Sequence, residues 1–188
     1  MLKLFIRLIH CTQKLLKELA YPTVDLTSYT SASEGLGNWY ANLIRIDRRK
    51  CVLFTNENTL YSFLIPKVKK ENLQNIVDEF LFNLNMNLQA EGFSIDIISK
   101  VMLEYQEIGF AKTASKHVLG SMNELTFQYE YIILHREGGI ENARMFGVNK
   151  HINRTIMRGI KYLHPIEALH DLLLGARQPR PKLSTSEF

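Results

Sequence analysis

At 188 residues, the chain is long enough to bury a hydrophobic core without help from disulfides or metals. A hydrophobic content of 46% with 22% charged residues excludes a disordered protein. The net charge of +4 and the pI near 9.0 suit a polyanionic partner, but the excess of 23 basic over 19 acidic residues is too small to define a nucleic-acid-binding protein by itself.

The composition also bears on the environment and the domain organisation. Cys11 and Cys51 each lie in an apolar segment without paired spacing, so we expect buried reduced thiols and a cytoplasmic location. No stretch is long and uncharged enough to cross a bilayer, so no membrane contact is expected. We predict a single domain over residues 1–175 and a flexible basic tail over residues 176–188.

The first third of the chain predicts strands. "KLFIRLIHCT" is typical of a strand, and "TQKLLKELA" of a helix with Thr12 as its N-cap. "YPTVDLTSYTSASEGLGN" has no periodicity and predicts a loop. The segments "WYANLIRI", "KCVLFTN" and "TLYSFLIP" follow with short turns between them, which favours an antiparallel meander.

The remainder predicts mostly helices. "KENLQNIVDEFLFNLNMNLQAEG" has apolar residues at intervals of three and four and predicts one helix ending at Gly92; Ser94 then caps a second. "EIGFAKT" predicts a fifth strand, "TASKHVLGSMNEL" leads into a long helix ending near Leu134, and two shorter helices follow, the second with Pro165 in its first turn. The order indicates an α+β fold, with a mostly antiparallel sheet of about five strands and helices packed largely on one face.

The first candidate site is the hairpin "RIDRRKC". Arg45, Arg48, Arg49 and Lys50 lie within one short turn, with only Asp47 to offset them. A hairpin that presents several of them together could hold a phosphate. The alternative is a polar turn with solvated charges, which is ordinary for a hairpin.

The second candidate site is the helix start in "TASKHVLGSMNEL". This stretch is not a phosphate-binding P-loop, but the free N–H groups at a helix start, close to Lys112 and Lys116, would form a general anion site. Gly120 inside a helix costs about 1 kcal/mol relative to alanine, so close approach of another backbone is expected there. We interpret Gly120 as a packing residue and Lys112, Thr113 and Asn123 as binding residues.

Motifs for metal binding or catalysis are absent from the sequence. No histidine belongs to an HExxH motif or has another histidine one helical turn away, so neither a metal nor a cofactor is expected. No GxSxG elbow surrounds Ser115 or Ser121. The sequence leaves open whether the protein is an enzyme. A nuclease is a third functional hypothesis, after the two non-catalytic hypotheses given below.

Four blocks carry a resemblance to a known family. They are "IHCTQKLLKEL", "GNWYANLIRIDRRKCVLFTNENTLYSFLIP", "GFAKTASKHVLGSMNELTFQYEY" and "INRTIMRGIKYLHPIEAL". In this order they resemble an uncharacterised bacterial domain-of-unknown-function family with Thr-Lys-Lys-Leu, "LFTN" and KT-x-NRS-x-GSMND blocks. Here Ser115, Lys116 and His117 stand where that pattern has Asn, Arg and Ser, and Glu124 stands where it has Asp. The resemblance implies a bacterial, cytoplasmic, single-domain protein and no particular activity.

Two functional hypotheses follow. In the first, the protein is a binding module for a nucleic acid or nucleotide, with the hairpin and the helix start forming one basic face. In the second, it is a non-catalytic interaction or antitoxin-like accessory subunit that forms a homodimer or caps a protein partner through apolar helix faces. The candidate ligand-binding residues are Trp39, Asn42, Arg45, Arg48, Arg49, Thr55, Asn56, Lys112, Thr113, Lys116, Ser121 and Asn123.

Overall fold

The structure, a computed structural model, describes residues 5–19, 21–23, 30–31, 35–161 and 163–175. The strands are β1 (Phe5–Cys11), β2 (Thr30–Ser31), β3 (Trp39–Ile46), β4 (Arg49–Asn56), β5 (Ser62–Ile65) and β6 (Ile108–Lys112). The helices are α1 (Gln13–Leu16), α2 (Lys70–Gln74), α3 (Ile76–Ala90), α4 (Ile95–Glu104), α5 (Lys116–His135), α6 (Met145–Ile152) and α7 (Pro165–Leu174), with a 3₁₀ turn at Arg158–Ile160. The α+β class is therefore confirmed.

The sheet is mixed, and the prediction of a mostly antiparallel sheet was wrong. Its strands lie in the order β6-β1-β3-β4-β5, and β2 pairs with the start of β1. The β3–β4–β5 meander is antiparallel as predicted, whereas β1 pairs in parallel with β2, β3 and β6. The first strand therefore occupies an interior position, because it joins partners that come much later in the chain.

Helices cover both faces of the sheet, which corrects the prediction of helices largely on one face. Side chains of β3 alternate between two separate cores: Trp39 and Leu43 belong to the first, Tyr40 and Ile44 to the second. A strand with apolar residues on both faces needs cover on both sides, because neither face can remain in water. The architecture is a three-layer sandwich.

The first core is built around aromatic rings. Trp39 lies 5.4 Å from both Phe63 and Phe80, measured between ring centroids, and Phe54 lies 5.1 Å from Phe80. Tyr105 adds an edge-on contact with Phe80 at 5.6 Å. Helices α3, α4 and α7 supply the covering residues, and this layer carries much of the buried apolar surface.

The second core lies under α5 and α6. Along α5, Val118, Met122, Leu125, Tyr129 and Ile133 are buried at the helical spacing. They pack on the second face of β3, β4 and β5, together with buried residues of α6. Helix α5 is the longest of the described helices, at 20 residues, and covers the second core.

Several predicted boundaries are confirmed and one is corrected. Ser94 precedes α4, Pro165 occupies the first turn of α7, and Gly92 follows α3 with a φ of +87°. The stretch predicted as one helix after residue 69 is instead two, because Asn75, at φ −111°, interrupts it. Its helical periodicity nevertheless holds on both sides of that break.

Both cysteines are buried and unpaired, as predicted. Burial raises the pKa of the Cys11 thiol to about 12, so the thiol stays protonated and unreactive at neutral pH. The predicted tail over residues 176–188, and half of the loop predicted over residues 21–38, lie outside the described residues. The single domain over residues 1–175 remains a prediction.

Candidate functional site

One hydrogen bond caps the start of α5, and another fixes it to the sheet. Strand β6 ends at Lys112, and Ser115 is the N-cap of α5. The Ser115 hydroxyl oxygen accepts from the Val118 N–H at 3.3 Å, and the Ser115 N–H donates to the Tyr40 hydroxyl oxygen at 3.2 Å. The sequence therefore begins the helix where predicted, and β3 holds its first turn in place.

A histidine joins the same corner from β1. His10 stacks on Tyr40 with ring centroids 4.8 Å apart and an angle of 24° between the planes. Its Nδ1 lies 3.0 Å from the Lys112 carbonyl oxygen, which can only accept, so Nδ1 carries the proton. Burial raises the pKa of Tyr40, keeping the phenol neutral. Strands β1, β3 and β6 thus meet beneath the start of α5.

The 3₁₀ turn closes the other side of this corner. A Cβ added to Gly159 would lie 2.8 Å from the Ser121 hydroxyl oxygen and 3.0 Å from Nε2 of His117. The backbone therefore approaches α5 at Gly159, and it places the exposed Arg158 beside the first two turns of the helix. Gly120, where we predicted such an approach, is exposed, and an added Cβ would meet no atom within 4 Å, so that prediction was wrong.

The charges at this corner are basic and unpaired. Lys112, Lys116 and Arg158 are exposed, and none of them forms an ion pair within the described part of the chain. The first turn of α5 contains no acidic residue. Within the same part, no acceptor is found for the backbone N–H groups of Lys116 and His117. We call Lys112, Lys116 and Arg158, with these N–H groups, the basic corner.

The Arg-rich hairpin differs from the basic corner, because carboxylates neutralise part of its positive charge. Arg49 pairs with Glu141 at 3.0 Å, and Lys50 pairs with Glu18 at 2.7 Å. Arg45 donates to the Arg48 carbonyl oxygen at 3.3 Å, which closes the turn. Arg48 has a φ of +64°, as the tight turn requires. These contacts explain the hairpin without a ligand.

The two predicted basic clusters lie at opposite ends of α5 and do not form one face. The basic corner is at its N-terminus, whereas the loop after its C-terminus contacts the hairpin through the Arg49–Glu141 pair. A Cβ on Gly139 would also lie 3.1 Å from an Asp47 carboxylate oxygen. A 20-residue helix is about 30 Å long, which separates the clusters by that distance.

Three other predicted residues are buried, and two of them make hydrogen bonds that hold the fold. Trp39 is fully buried, and its Nε1 donates to the Tyr105 hydroxyl oxygen at 2.8 Å. The buried Asn56 side chain donates to the Leu36 carbonyl oxygen at 2.8 Å and organises the turn that follows β4. Thr55 is buried, and its hydroxyl has no hydrogen-bond partner among the described residues. In these positions Trp39 and Asn56 are out of reach of a ligand.

The remaining predicted residues are scattered around α5. Asn42 is half-buried and accepts from the Thr12 hydroxyl at 3.0 Å. Thr113 is half-buried near the basic corner, and Ser121 is buried against Gly159. Asn123 is exposed on α5. Lys112, Thr113 and Lys116 of the predicted set lie together at the start of α5, and Ser121 lies in the second turn of that helix.

Comparison with known proteins identifies the family. The family model described as "Domain of unknown function (DUF6933)" matches residues 8–168. The chain belongs to the DUF6933 family. The match confirms the resemblance to a domain-of-unknown-function family and covers every residue of the basic corner. No curated protein and no solved structure matches the DUF6933 chain.

The DUF6933 chain also contains a buried polar network that the sequence reading missed. Asn153 of the segment after α6 accepts from the Ser62 N–H at 2.8 Å and donates to the Ser62 carbonyl oxygen at 2.7 Å. Asn149 accepts from the Leu64 N–H at 3.2 Å and from the Tyr129 hydroxyl at 3.0 Å, and it donates to Asn87 at 2.9 Å. The signal in the sequence was the pair Asn149 and Asn153, which lie one helical turn apart on a buried face.

This network caps a sheet edge. Strand β5 ends the described sheet, so its outward N–H and C=O groups have no strand partner. The side-chain amides of Asn149 and Asn153 form hydrogen bonds with the Leu64 N–H and with the N–H and C=O of Ser62, as a neighbouring strand would. Edge groups satisfied in this way cannot pair with another chain, so the role of this network is structural.

Other features of the DUF6933 chain bear on ligands. Among the described residues, no cluster of three or more His, Cys, Asp and Glu side chains could hold a metal ion. None of the described helices combines the length and apolar character needed to span a bilayer. One surface groove, of about 450 Å³, lies between the β4–β5 turn and α7 and is lined in part by Thr59, Leu163 and Leu172.

A second groove lies along the outer face of α5. It has a volume of about 280 Å³ and is lined by Phe127, Gln128, Tyr131, Ile132, Arg136 and Thr155. Phe127 is 71% exposed and Tyr131 is 59% exposed, although both are large and apolar. Exposed aromatic side chains on one helix face mark an interaction surface more often than a catalytic site.

Proposed function

We propose that the protein binds a phosphate-bearing ligand, a nucleotide or the backbone of a nucleic acid, at the basic corner. The observation that carries the proposal is the set of unpaired cations at the positive end of α5. Lys112, Lys116 and Arg158 are all exposed there, and each lacks a carboxylate partner within the described residues.

Helix electrostatics make this arrangement unfavourable without an anion. The N-terminus of a helix carries a partial positive charge, and acidic side chains in the first turn normally stabilise it. Here Lys116 occupies that turn, and a cation there costs about 0.3–1 kcal/mol. A bound phosphate would reverse the sign of this interaction and would accept from the free N–H groups of Lys116 and His117.

The neighbouring groups suit a phosphate. Lys112 and Arg158 approach from β6 and from the 3₁₀ turn, so the cations surround the helix start from more than one element. The half-buried Thr113 adds a hydroxyl close to them. Phosphate recognition in proteins combines these three donors: backbone N–H groups, basic side chains and hydroxyls.

The test compares two double variants with the same change of net charge. Lys112→Ala/Lys116→Ala removes the two lysines of the basic corner, and Lys69→Ala/Lys70→Ala removes two exposed lysines at the start of α2. Binding of a fluorescent single-stranded oligonucleotide and of inorganic triphosphate is measured by anisotropy and calorimetry at several salt concentrations.

The first variant is expected to weaken binding at least about 10-fold and to reduce the slope of log K against log salt by about 1.4, since each lost phosphate contact contributes about 0.7 for a single strand. The control variant should bind like the parent protein. Equal losses in both variants would show a response to net charge alone and would refute a site. Binding of triphosphate but not of the oligonucleotide would identify a small phosphate compound, the class that includes nucleotides, as the ligand.

A second candidate function is that of a protein-interaction module. The exposed aromatic face of α5 favours it, because an isolated monomer gains nothing from keeping Phe127 and Tyr131 in water. In that case neither lysine variant changes the physiological interaction, and the oligonucleotide does not bind.

A further inference from the structure

His10 has one ring nitrogen that no other described group contacts. The residue is 7% exposed, and its Nδ1–H donates to the Lys112 carbonyl oxygen at 3.0 Å. Its Nε2 has no hydrogen bond or ion pair within the described residues. Among the buried and half-buried side chains described, Thr55 Oγ1 is the one polar atom that is closed off from solvent without a partner. Nε2 of His10 is therefore open to solvent, although the rest of the ring is buried.

The imidazole points towards the start of α5. His10 on β1 is the register partner of Tyr40 on β3, and register partners project from the same face of a sheet. Tyr40 belongs to the core under α5, and its hydroxyl oxygen accepts from the Ser115 N–H at 3.2 Å. The two rings are stacked with 24° between their planes, so they extend from the sheet in the same direction. Because Nε2 is the ring nitrogen farther from the backbone, it lies at the end of the imidazole nearest the helix start.

The contacts of His10 suit the charged form of its ring. A protonated imidazole donates from both nitrogens, and the Lys112 carbonyl oxygen already accepts from Nδ1. The Tyr40 ring lies against the face of the imidazole, with centroids 4.8 Å apart, and an aromatic face attracts a cation. No carboxylate of the described residues pairs with His10. An anion that reaches Nε2 from solution would supply the counter-charge that a largely buried cation requires.

We propose that a phosphate bound at the basic corner accepts a hydrogen bond from Nε2–H of protonated His10, so that the protein takes up a proton from solvent when it binds. This inference rests on the proposed function, to which it adds a ligand-binding residue and a dependence on pH. Histidine is the side chain that changes its charge between about pH 5 and 8. Since the protonated form makes the additional bond, affinity for phosphate falls as the pH rises through this range.

Other charged and titratable groups lie at or next to this corner. They are Lys112 of β6, Tyr40 of β3, Glu57 after β4, Lys116 and His117 of α5, and Arg158 of the 3₁₀ turn. Burial, and more weakly the charge of Glu57, raise the pKa of Tyr40, so this phenol stays neutral. Glu57 itself accepts from the Asn38 N–H at 3.0 Å. Of these residue types only histidine changes charge near neutrality, so His117 is the competing source of a pH dependence.

The strength of one charged hydrogen bond sets the size of the effect. We expect the protonated form of His10 to bind phosphate about 10- to 100-fold more tightly than the neutral form. Coupling between two bound species is reciprocal, so bound phosphate must strengthen proton binding at His10 by the same factor. A factor of 10 to 100 corresponds to a rise of about 1–2 pH units in the titration midpoint of the ring.

NMR on the full chain tests this rise without any substitution. The ring Cε1–H signals of the six histidines are followed from pH 5 to 9, with and without saturating inorganic triphosphate. The signal of His10 is the one absent from His10→Asn. Its midpoint should rise by about 1–2 pH units with triphosphate. His151, exposed on α6 with Nε2 3.2 Å from Nη1 of Arg136, is the internal control, and its midpoint should not move.

Two substitutions at His10 separate its two nitrogens. Asparagine places its amide near Nδ1 and keeps the bond to the Lys112 carbonyl oxygen, whereas glutamine places its amide near Nε2. Binding of inorganic triphosphate and of a labelled single-stranded oligonucleotide is measured at pH 6 and pH 8. His10→Asn should bind about 10-fold more weakly than the parent at pH 6 and almost equally at pH 8. His10→Gln should bind without the pH dependence of the parent, and the control His151→Asn should retain it.

The comparison of parent and variant isolates the contribution of His10, because the titration of the ligand itself is the same for both proteins. A pH dependence that is identical in the parent and in His10→Asn would overturn the inference and leave phosphate binding intact. So would a pH dependence lost in His117→Asn and kept in His10→Asn, or a His10 midpoint that triphosphate does not move. If neither probe binds at pH 6, the basic corner itself is refuted. Circular dichroism at both pH values separates a change at the site from loss of the fold.

Discussion

Replacing Asn153 by alanine removes the side chain that caps the free edge of β5. Asn153 is fully buried, and its amide makes three hydrogen bonds: to the Ser62 N–H at 2.8 Å, to the Ser62 carbonyl oxygen at 2.7 Å and to the Asn149 carbonyl oxygen at 2.8 Å. The Ser62 carbonyl lies 3.3 Å from the Tyr129 hydroxyl and can accept its hydrogen when that hydroxyl turns from Asn149, so the Ser62 N–H is the group left without a partner.

The expected loss follows from that count. One buried N–H without an acceptor costs about 1–3 kcal/mol, and each of the other two lost bonds costs about 0.5–1.5 kcal/mol. We therefore expect Asn153→Ala to lower the free energy of unfolding by about 2–6 kcal/mol. For a chain of 188 residues, at about 2–4 °C for each kcal/mol, the melting temperature should fall by roughly 4–24 °C.

Urea and thermal denaturation measure this change, with Asn142→Ala as the control. Asn142 is exposed and its side chain makes one hydrogen bond, to the Gly138 carbonyl oxygen at 3.1 Å, so the loss of that side chain should cost less than about 0.5 kcal/mol. A second variant, Asn153→Asp, keeps an acceptor for Ser62 but turns a carboxylate oxygen towards two carbonyls. It should be destabilised at pH 7 and recover as the pH falls, because the protonated carboxyl can donate again. Stabilities of Asn153→Ala and Asn142→Ala that agree within about 0.5 kcal/mol would refute the capping argument.

The remaining predictions concern two glycines and the alkaline pH range. Gly120→Ala should raise the free energy of unfolding by about 1 kcal/mol, because the helix gains propensity and the new Cβ meets no atom within 4 Å. Gly159→Ala should lower the free energy of unfolding by about 1–3 kcal/mol, because the new Cβ would lie 2.8 Å from the Ser121 hydroxyl oxygen. Urea titrations measure both glycine variants, and changes in stability of the same sign would contradict these two predictions. Stability should fall as pH rises from about 9 towards 12, since the folded state raises the pKa of Cys11 to about 12 and the unfolded thiol ionises first. A melting temperature that stays constant across this range, with Cys11 present, would show that the thiol is not buried in solution.

The local elements were predictable because their signals are local. The aromatic and β-branched residues of β3, the periodicity of α3 and α4, and Ser115 at the start of α5 are each signals from neighbouring residues, and these elements lie within the predicted stretches. The sheet order was not predictable, because the parallel pairing of β1 with β3 and β6 depends on contacts between distant segments. The sequence did contain one signal that helices cover both faces of the sheet. The stretch "WYANLIRI" is apolar at both alternating sets of positions, which is typical of a strand buried on both faces.

The candidate site was predictable in part. Lysines near a helix start can be read from the sequence, and Lys112 and Lys116 do lie together at the start of α5. The roles of Trp39 and Asn56 were not readable, because a polar or aromatic residue at a strand end has the same pattern whether it faces a ligand or the interior. The hairpin arginines looked available because their partner, Glu141, lies 92 residues later in the chain than Arg49.

The cap on β5 also sets an order of events during synthesis. Asn153 follows Ser62 by 91 residues, so at about 5–20 residues per second the ribosome completes β5 roughly 5 to 18 s before its cover exists. During that interval the nascent β3–β4–β5 meander carries an open hydrogen-bonding edge, and the four-residue length of β5 limits how much of it another chain can pair with. A polypeptide released before α6 would keep that edge open permanently, which makes early termination products of this protein the species that a chaperone or a protease must recognise.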